Sequence, residues 1–268
     1  IGKTDGDFST AFPYHWAEVC ARMVEKDYNH PSVVFYSIGN EIPETGDPYG
    51  ARTARQLAEK LRALDGGRYI VNSLNCMLSV MPVMKDALAG KLGSEINETL
   101  QNLEGGMSGP MGLPLVTEYT KENFDLLDVC GYNYATVRYQ MDGELFPHRV
   151  LMGSETFPEQ IGENWEEIVK YPHALGDFTW TGYDYLGEAG IGRIGYKEDG
   201  DSAQLAGGYP WIAGYCGDIG LTGVRRPVSY YREIVFGLRT EPYLAVQPPK
   251  DFGKTEQRTP WSFVDGVS

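Results

Sequence analysis

The chain has 268 residues, 42% apolar and 22% charged, a balance that specifies a soluble globular fold with a sizeable core. Its formal net charge of −14 argues against a nucleic-acid partner, whose phosphates demand Lys and Arg, and weighs against an acidic sugar as ligand. No apolar run approaches the length needed to span a bilayer, and residues 1–10 lack the basic and apolar regions of a signal peptide.

Residues 14–26 repeat apolar side chains at helical spacing, with Trp16, Val19, Cys20, Met23 and Val24 on one predicted face. His30 sits in the turn that follows, before Pro31, and reads as a structural hydrogen-bonder. Residues 33–41 are β-branched and aromatic in an unbroken run that ends Gly39-Asn40-Glu41, the pattern of a strand buried on both faces that delivers polar groups at its end. An amphipathic helix is predicted over residues 51–64, with Ala54, Leu57, Ala58, Leu61 and Leu64 on one stripe and Asp65-Gly66-Gly67 as the stop. A short strand over residues 68–72 completes a strand–helix–strand unit, so the sheet is parallel there.

Met77, Val80, Met81 and Met84 predict one helical face used as core filler, and residues 96–103 suggest another helix before a glycine-rich loop. Asn97-Glu98-Thr99 is a glycosylation sequon by letter only. Residues 126–134 predict a strand ending in polar and aromatic residues, and a further strand begins at Val150 and runs into Glu155 and Thr156. Residues 165–169 look helical and lead back to a strand starting near Gly176. Gly190-Ile191-Gly192-Arg193-Ile194-Gly195 matches a dinucleotide fingerprint letter for letter, but the charged and glycine-containing stretch after it is no helix, so NAD binding is rejected. A last helix is expected over residues 229–238 with Tyr230, Ile234, Val235 and Leu238 inward, and residues 240–268 read as a polar, proline-containing linker. Cys20, Cys76, Cys130 and Cys216 lack paired spacing and read as reduced core thiols, which points to a cytoplasmic location.

Two strands, each ending in one glutamate, are what a retaining glycosidase requires: one carboxylic acid to protonate the leaving oxygen and one carboxylate to attack the anomeric carbon, about 5 to 5.5 Å apart. Glu41 and Glu155 are too distant in sequence for a helix or hairpin to pair them, whereas strands of one α/β barrel deliver both to the same rim. Aromatic content of 12% suits a site where rings stack on sugar faces, and suits a large core nearly as well.

Asn29-His30-Pro31-Ser32-Val33-Val34 followed by Ser37-Ile38-Gly39-Asn40-Glu41 resembles the acid/base signature of glycoside hydrolase family 2. Gly153-Ser154-Glu155-Thr156 is similar to that family's nucleophile segment in its β-galactosidase-like branch, and residues 177–188 resemble its last barrel strand. The resemblance implies a (β/α)8 TIM-barrel catalytic domain over residues 1–239, here a partial barrel of strands four to eight from a longer multidomain chain, with residues 240–268 leading to a β-sandwich. It implies Glu41 as acid/base, Glu155 as nucleophile, Asn40 as partner of the sugar 2-hydroxyl, Tyr134 (with Tyr132 as fallback) on the nucleophile, and Trp180 as wall for the ring. Asp184, shortly beyond Trp180, is either a hydrogen-bonding rim residue or structural.

The implied activity is hydrolysis of terminal β-galactosides, with β-glucuronides, β-mannosides or an inert half-barrel as alternatives. No cofactor is called for. A divalent ion beside the acid/base would draw its other ligands from a segment the chain lacks. Five strand candidates against the eight of a closed barrel leave sheet edges through which copies of the chain could self-associate.

Overall fold

A computed structural model describes residues 6–88, 109–200 and 207–264; the helix expected over residues 96–103 and the sequon at Asn97 lie outside them. The chain divides into two compact units, Ile1–Met152 with His173–Leu175 and Gly153–Pro172 with Gly176–Ser268.

In chain order the larger elements are α1 (Phe12–Asp27), β1 (Phe35–Asn40), α2 (Pro48–Leu64), β2 (Tyr69–Leu74), α3 (Cys76–Leu88), α4 (Pro114–Phe124), β3 (Val129–Asn133), α5 (Arg138–Leu145), β4 (Leu151–Thr156), α6 (Ile161–Lys170), β5 (Ala174–Thr179), β6 (Gly195–Tyr196), α7 (Pro227–Val235) and β7 (Glu256–Gln257). Strands β1 to β5 form one five-stranded sheet in sequence order, and β1–β2 and β2–β3 pair in parallel. Helices alternating with strands in that order make the sheet a segment of a TIM barrel. No described helix is long and apolar enough to cross a membrane.

Within the first unit, the sheet is covered on one side by α1 and α2. Cys20 and Val24 from α1 meet Ala54, Ala58 and Leu61 from α2 against Tyr36 and Ile70 of the strands. One residue further along β2, Val71 turns to the opposite face and packs with Val129 and Met152. Burial on both faces makes the inner strands β2, β3 and β4 continuous apolar runs. By contrast β1, expected to be buried on both faces, is an edge strand with Ser37 exposed, and at the other edge β5 leaves Leu175 and Phe178 56% and 59% exposed. The predicted α1 face holds for Cys20 and Val24, whereas Val19 is 48% exposed, because α2 covers a narrower stripe than the periodicity suggested.

Helix α2 starts where Asp47 accepts from Tyr49 N–H at 2.7 Å, with Pro48 in the first helical position. It stops at Asp65, whose carboxylate accepts from Gly67 N–H at 2.9 Å and from the Tyr36 hydroxyl at 3.2 Å and pairs with Arg68. Arg68 then stitches the entry of β1: Nε donates to the Val33 carbonyl at 2.8 Å, and Nη2 to the carbonyls of Asp27, Tyr28 and His30 at 3.1, 2.8 and 3.1 Å. That single guanidinium fixes the loop that the sequence marked around His30.

A buried ionic network lies behind β3. Arg138 and Asp142, both fully buried one turn apart on α5, form an ion pair, and the Tyr132 hydroxyl donates to the same carboxylate. Arg149 reaches Asp142 at 3.4 Å and Asp125 at 2.6 Å, with its guanidinium 3.5 Å from the centre of the Phe146 ring. Burial, and behind it the Asp142 carboxylate, push the Tyr132 phenol well above its ordinary pKa, so it stays a donor.

The second unit departs from expectation in two places. Helix α7 ends at Val235, ahead of Gly237 at φ 70°, so Leu238 lies beyond it and is 77% exposed; Ile234, inside the helix, is 41% exposed and does not face inward as expected. Residues 249–264, in the predicted linker, are tied down. β7 pairs antiparallel with β6, Thr255 donates to Glu198 through N–H and hydroxyl at 2.8 Å each, and the Ser262 hydroxyl donates to the Arg193 carbonyl at 3.1 Å. Gly190 and Gly192, in the fingerprint-like stretch, sit at φ 86° and 75°, and a β-carbon on Gly192 would lie 2.8 Å from Cys216. A two-residue strand and a 3-10 turn follow them, not a helix. All four cysteines are free and buried, and burial pushes the thiols of Cys76, Cys130 and Cys216 up to about 12.

The backbone N–H of Gly67, joined by the bonds from Arg68 and Tyr36, outweighs burial and holds the Asp65 carboxyl below its ordinary range. A carboxyl depressed in the folded state adds stability that is full above its unfolded pKa and is lost as pH falls through the folded value. Stability measured by urea unfolding therefore declines on acidification below the ordinary carboxylate range, and Asp65→Asn flattens that decline. Tyr132→Phe removes a donor from a fully buried carboxylate and costs about 1–3 kcal/mol by the same measurement; an unmoved midpoint would mean the two arginines satisfy Asp142 alone.

Candidate active site

Polar or aromatic residues stand at the C-terminal end of each of the five strands: Asn40 and Glu41 at β1, Asn75 after β2, Asn133 and Tyr134 at β3, Glu155 in β4 and Trp180 after β5. This is the end of a parallel sheet where α/β folds gather their chemistry.

The first unit assembles its part around Glu41. The β1–β2 register shifts between Ser37 and Asn40, an irregularity accommodated by Gly39, whose added β-carbon would lie 2.7 Å from Ile42 and 3.0 Å from the Asn72 amide oxygen. Glu41 follows at φ 52°, a left-handed backbone that a residue with a side chain rarely adopts, pinned by its N–H to the Ser73 carbonyl at 2.8 Å. Its Oε1 accepts from Asn75 Nδ2 at 2.9 Å and from Asn133 Nδ2 at 3.3 Å. Asn133, fully buried, also donates to Asn40 Oδ1 at 3.0 Å. Asn75 is bifunctional, since its Oδ1 accepts from Met77 N–H at 3.1 Å and caps the start of α3.

Tyr134 repeats the pattern at the next rim position: it follows β3 directly, is 7% exposed and sits at φ 58°. Glu41 and Tyr134 are the non-glycine residues with positive φ among those described. The Tyr132 hydroxyl, the fallback for Tyr134, is committed to Asp142.

In the second unit, Glu155 is half-buried near the end of β4. Beside it Thr156, 1% exposed, donates its hydroxyl to Asp177 Oδ2 at 2.7 Å, and its carbonyl accepts from Trp180 N–H at 2.9 Å. The Trp180–Thr181 peptide is cis, and the half-buried Trp180 indole donates to the Tyr185 hydroxyl at 3.0 Å with the rings edge to face. Tyr185 passes its own proton bond to Glu188; burial first and that bond second raise its phenol pKa. Asp184 accepts from Gly217 N–H at 2.9 Å and pairs with Arg226 at 3.2 Å, a structural tie between loops. Asn40 and Glu41 were legible from the sequence and meet in one cluster, whereas Asn75 and Asn133 were not. Their only signal is position, an amide at the C-terminal end of a parallel strand. Among the described residues no group of three or more His, Cys, Asp and Glu side chains is placed to hold a metal ion.

The sequence model of "Glycosyl hydrolases family 2, TIM barrel domain" matches residues 9–122. A solved glycosyl hydrolase family 2 member from Bacteroides cellulosilyticus aligns over 100% of this chain and 29% of its own at 29% identity and TM-score 0.72. Another member from the same species aligns over 85% of this chain and 23% of its own, at 27% identity and TM-score 0.59. A curated protein of Formosa agariphila named "Putative beta-glucuronidase" is 22% identical over 238 residues, 82% of this chain and 21% of that protein. The β-D-glucuronidase of Dictyoglomus thermophilum, at 15% identity and TM-score 0.54, shares the fold. The chain thus spans less than a third of the relatives named first. Residues 9–122 thus match the TIM-barrel model of glycosyl hydrolase family 2, and the chain carries a five-stranded TIM-barrel segment similar to that of the family's solved members.

Proposed function

We propose that the chain carries the catalytic carboxylates of a retaining glycoside hydrolase. Glu155 attacks the anomeric carbon to form a glycosyl–enzyme ester. Glu41, protonated, gives its proton to the departing oxygen and then takes one from the water that hydrolyses the ester. The observation that carries this reading is the amide clamp on Glu41. With Oε1 accepting two N–H groups, the protonated acid keeps Oε1 as its carbonyl-type oxygen and bears the transferable proton on Oε2. Asn40 has its amide oxygen committed to Asn133, so its NH2 is the group that serves the sugar 2-hydroxyl. Tyr134 orients the nucleophile and Trp180 forms a wall for the ring. The mechanism demands Glu41 and Glu155 at about 5 to 5.5 Å.

The sugar is a terminal β-glycoside. Gly153-Ser154-Glu155-Thr156 supports a galactoside. The names of the Formosa agariphila and Dictyoglomus thermophilum relatives favour a second reading, a β-glucuronide.

Hydrolysis of the 4-nitrophenyl β-galactoside, β-glucuronide and β-mannoside tests the activity and ranks the sugars. Glu41→Gln lowers kcat about 10²- to 10⁴-fold, and Glu155→Gln abolishes the burst of nitrophenol with it. Asn133→Ala leaves both carboxylates in place and Asn75 on Glu41 but loosens the clamp, so kcat falls on the order of 10²-fold with KM little changed. Silence of the wild-type chain on all three substrates, or turnover that survives either glutamate substitution, overturns the reading.

A further inference from the structure

In the second unit a cavity of about 280 Å³ opens beside Arg226, just below the usual size range of small-molecule pockets. None of its lining residues is assigned above to the reaction, although the Cys216 carbonyl accepts from Thr181 N–H, next to Trp180, at 3.2 Å. Its wall holds two guanidinium–aromatic pairs: Arg193 lies 5.6 Å from the centre of the Trp211 ring, and Arg226 lies 5.6 Å from that of Tyr215. The two rings meet edge to face at 5.1 Å. Lys250, its side chain 83% exposed, stands at the rim. Among the described residues the lining holds one carboxylate, Asp251, which is matched by Lys254 at 3.2 Å and Lys250 at 3.7 Å.

The hydrogen bonds of Arg226 decide what its charge can hold. Both of its side-chain bonds, to Asp184 Oδ1 and to the Tyr215 carbonyl, leave from Nη1. Nε–H and the Nη2 hydrogens, the parallel fork that grips a carboxylate through both oxygens, make no hydrogen bond among the described residues, and the side chain is 19% exposed. Arg226 also borders a second cavity, of about 360 Å³, but the Asp184 carboxylate forms part of that wall and already takes Nη1, so an anion is repelled there.

We infer that the first cavity binds a uronic-acid residue, with the carboxylate on the Arg226 fork and the sugar ring against Trp211 and Tyr215. Aromatic faces suit the C–H side of a pyranose, and the fork distinguishes an acid sugar from its neutral counterpart. The site goes beyond the hydrolase reading and does not depend on it.

Calorimetric titration of the Glu41→Gln/Glu155→Gln chain tests the inference without any need for turnover. Free glucuronate or galacturonate is expected to bind saturably, at least about tenfold tighter than galactose. Arg226→Lys keeps the charge and the pair with Asp184 but removes the fork, and weakens uronate binding about tenfold. Lys250→Glu, at an exposed position and with folding checked by the thermal midpoint, weakens it several-fold while galactose binding stays unchanged. Three results overturn the inference: no uronate binding, equal affinity for galactose, or uronate affinity unmoved by Lys250→Glu. Tighter binding of galactose 6-sulfate than of either uronate overturns the carboxylate assignment.

Discussion

A β-carbon makes the left-handed backbone costly, on the order of 1–3 kcal/mol per residue, yet Glu41 and Tyr134 both adopt it one step beyond a parallel strand. Such a conformation persists only where the surroundings over-determine it. At Glu41 the main chain is held by the Ser73 carbonyl and the carboxyl by two amides. At Tyr134 the flanking Asn133 and Ala135 are 0% and 1% exposed, which leaves the chain no room to relax. The effect is geometric. A strand continued in extended conformation would alternate its side chains between faces, whereas a left-handed residue turns the chain at the rim and re-aims the side chain there. The rest of the first unit supplies the stability that this strain consumes. Close-packed α1 and α2 hold one face of the strands, and Arg68 fastens the entry to β1.

The choice of asparagine around Glu41 follows from the same constraint. A carboxylate held at a strand end needs donors that bring no charge of their own, and a primary amide offers two N–H groups and an acceptor in one rigid plane. Asn75 uses both functions, its oxygen starting α3 and its nitrogen reaching Glu41, so the helix start and the site are fixed by one side chain. Asn133 spans from β3 to Asn40 and Glu41, which ties three strands together at their ends. Lysine or arginine in either place would orient the carboxyl as well, but would stabilise its ionised form, whereas the acid role proposed for Glu41 needs a protonated one.

Periodicity in the sequence carried part of the secondary structure, and gave no reading of α4 and α5. Apolar residues at helical spacing located α1, α2 and α3, and unbroken β-branched runs located the strands, because each element buries a face wide enough to leave a repeat. The failures share a cause. Leu238 continues the apolar spacing of α7, but the helix ends before Gly237, and nothing periodic records a left-handed glycine. Arg138 and Asp142, one turn apart, look like an exposed helical ion pair; their burial depends on Tyr132, Arg149 and Thr117, which arrive from other elements. Asn75 and Asn133 are single polar letters after apolar runs, which turns supply as readily as active sites do. Glu41 and Glu155 stood out only because the chemistry of glycoside cleavage asks for two carboxylates at strand ends.

Net charge is a statement about the whole surface, and a binding pocket is decided by what lies within a few ångströms of the ligand. At physiological ionic strength, charges more than about 8 Å away across solvent are largely screened, so the −14 of the chain sets solubility and approach rates more than it sets the preference of one cavity. In the cavity beside Arg226, the acidic neighbours are already spent: Asp251 on Lys254 and Lys250, Asp184 on one nitrogen of Arg226. Pairing Asp184 through Nη1 also steadies the guanidinium plane, which costs the free fork less entropy when a carboxylate docks than a wholly mobile arginine would lose. An acidic protein can therefore present a site for an acidic sugar, provided its carboxylates are consumed in holding the cations still.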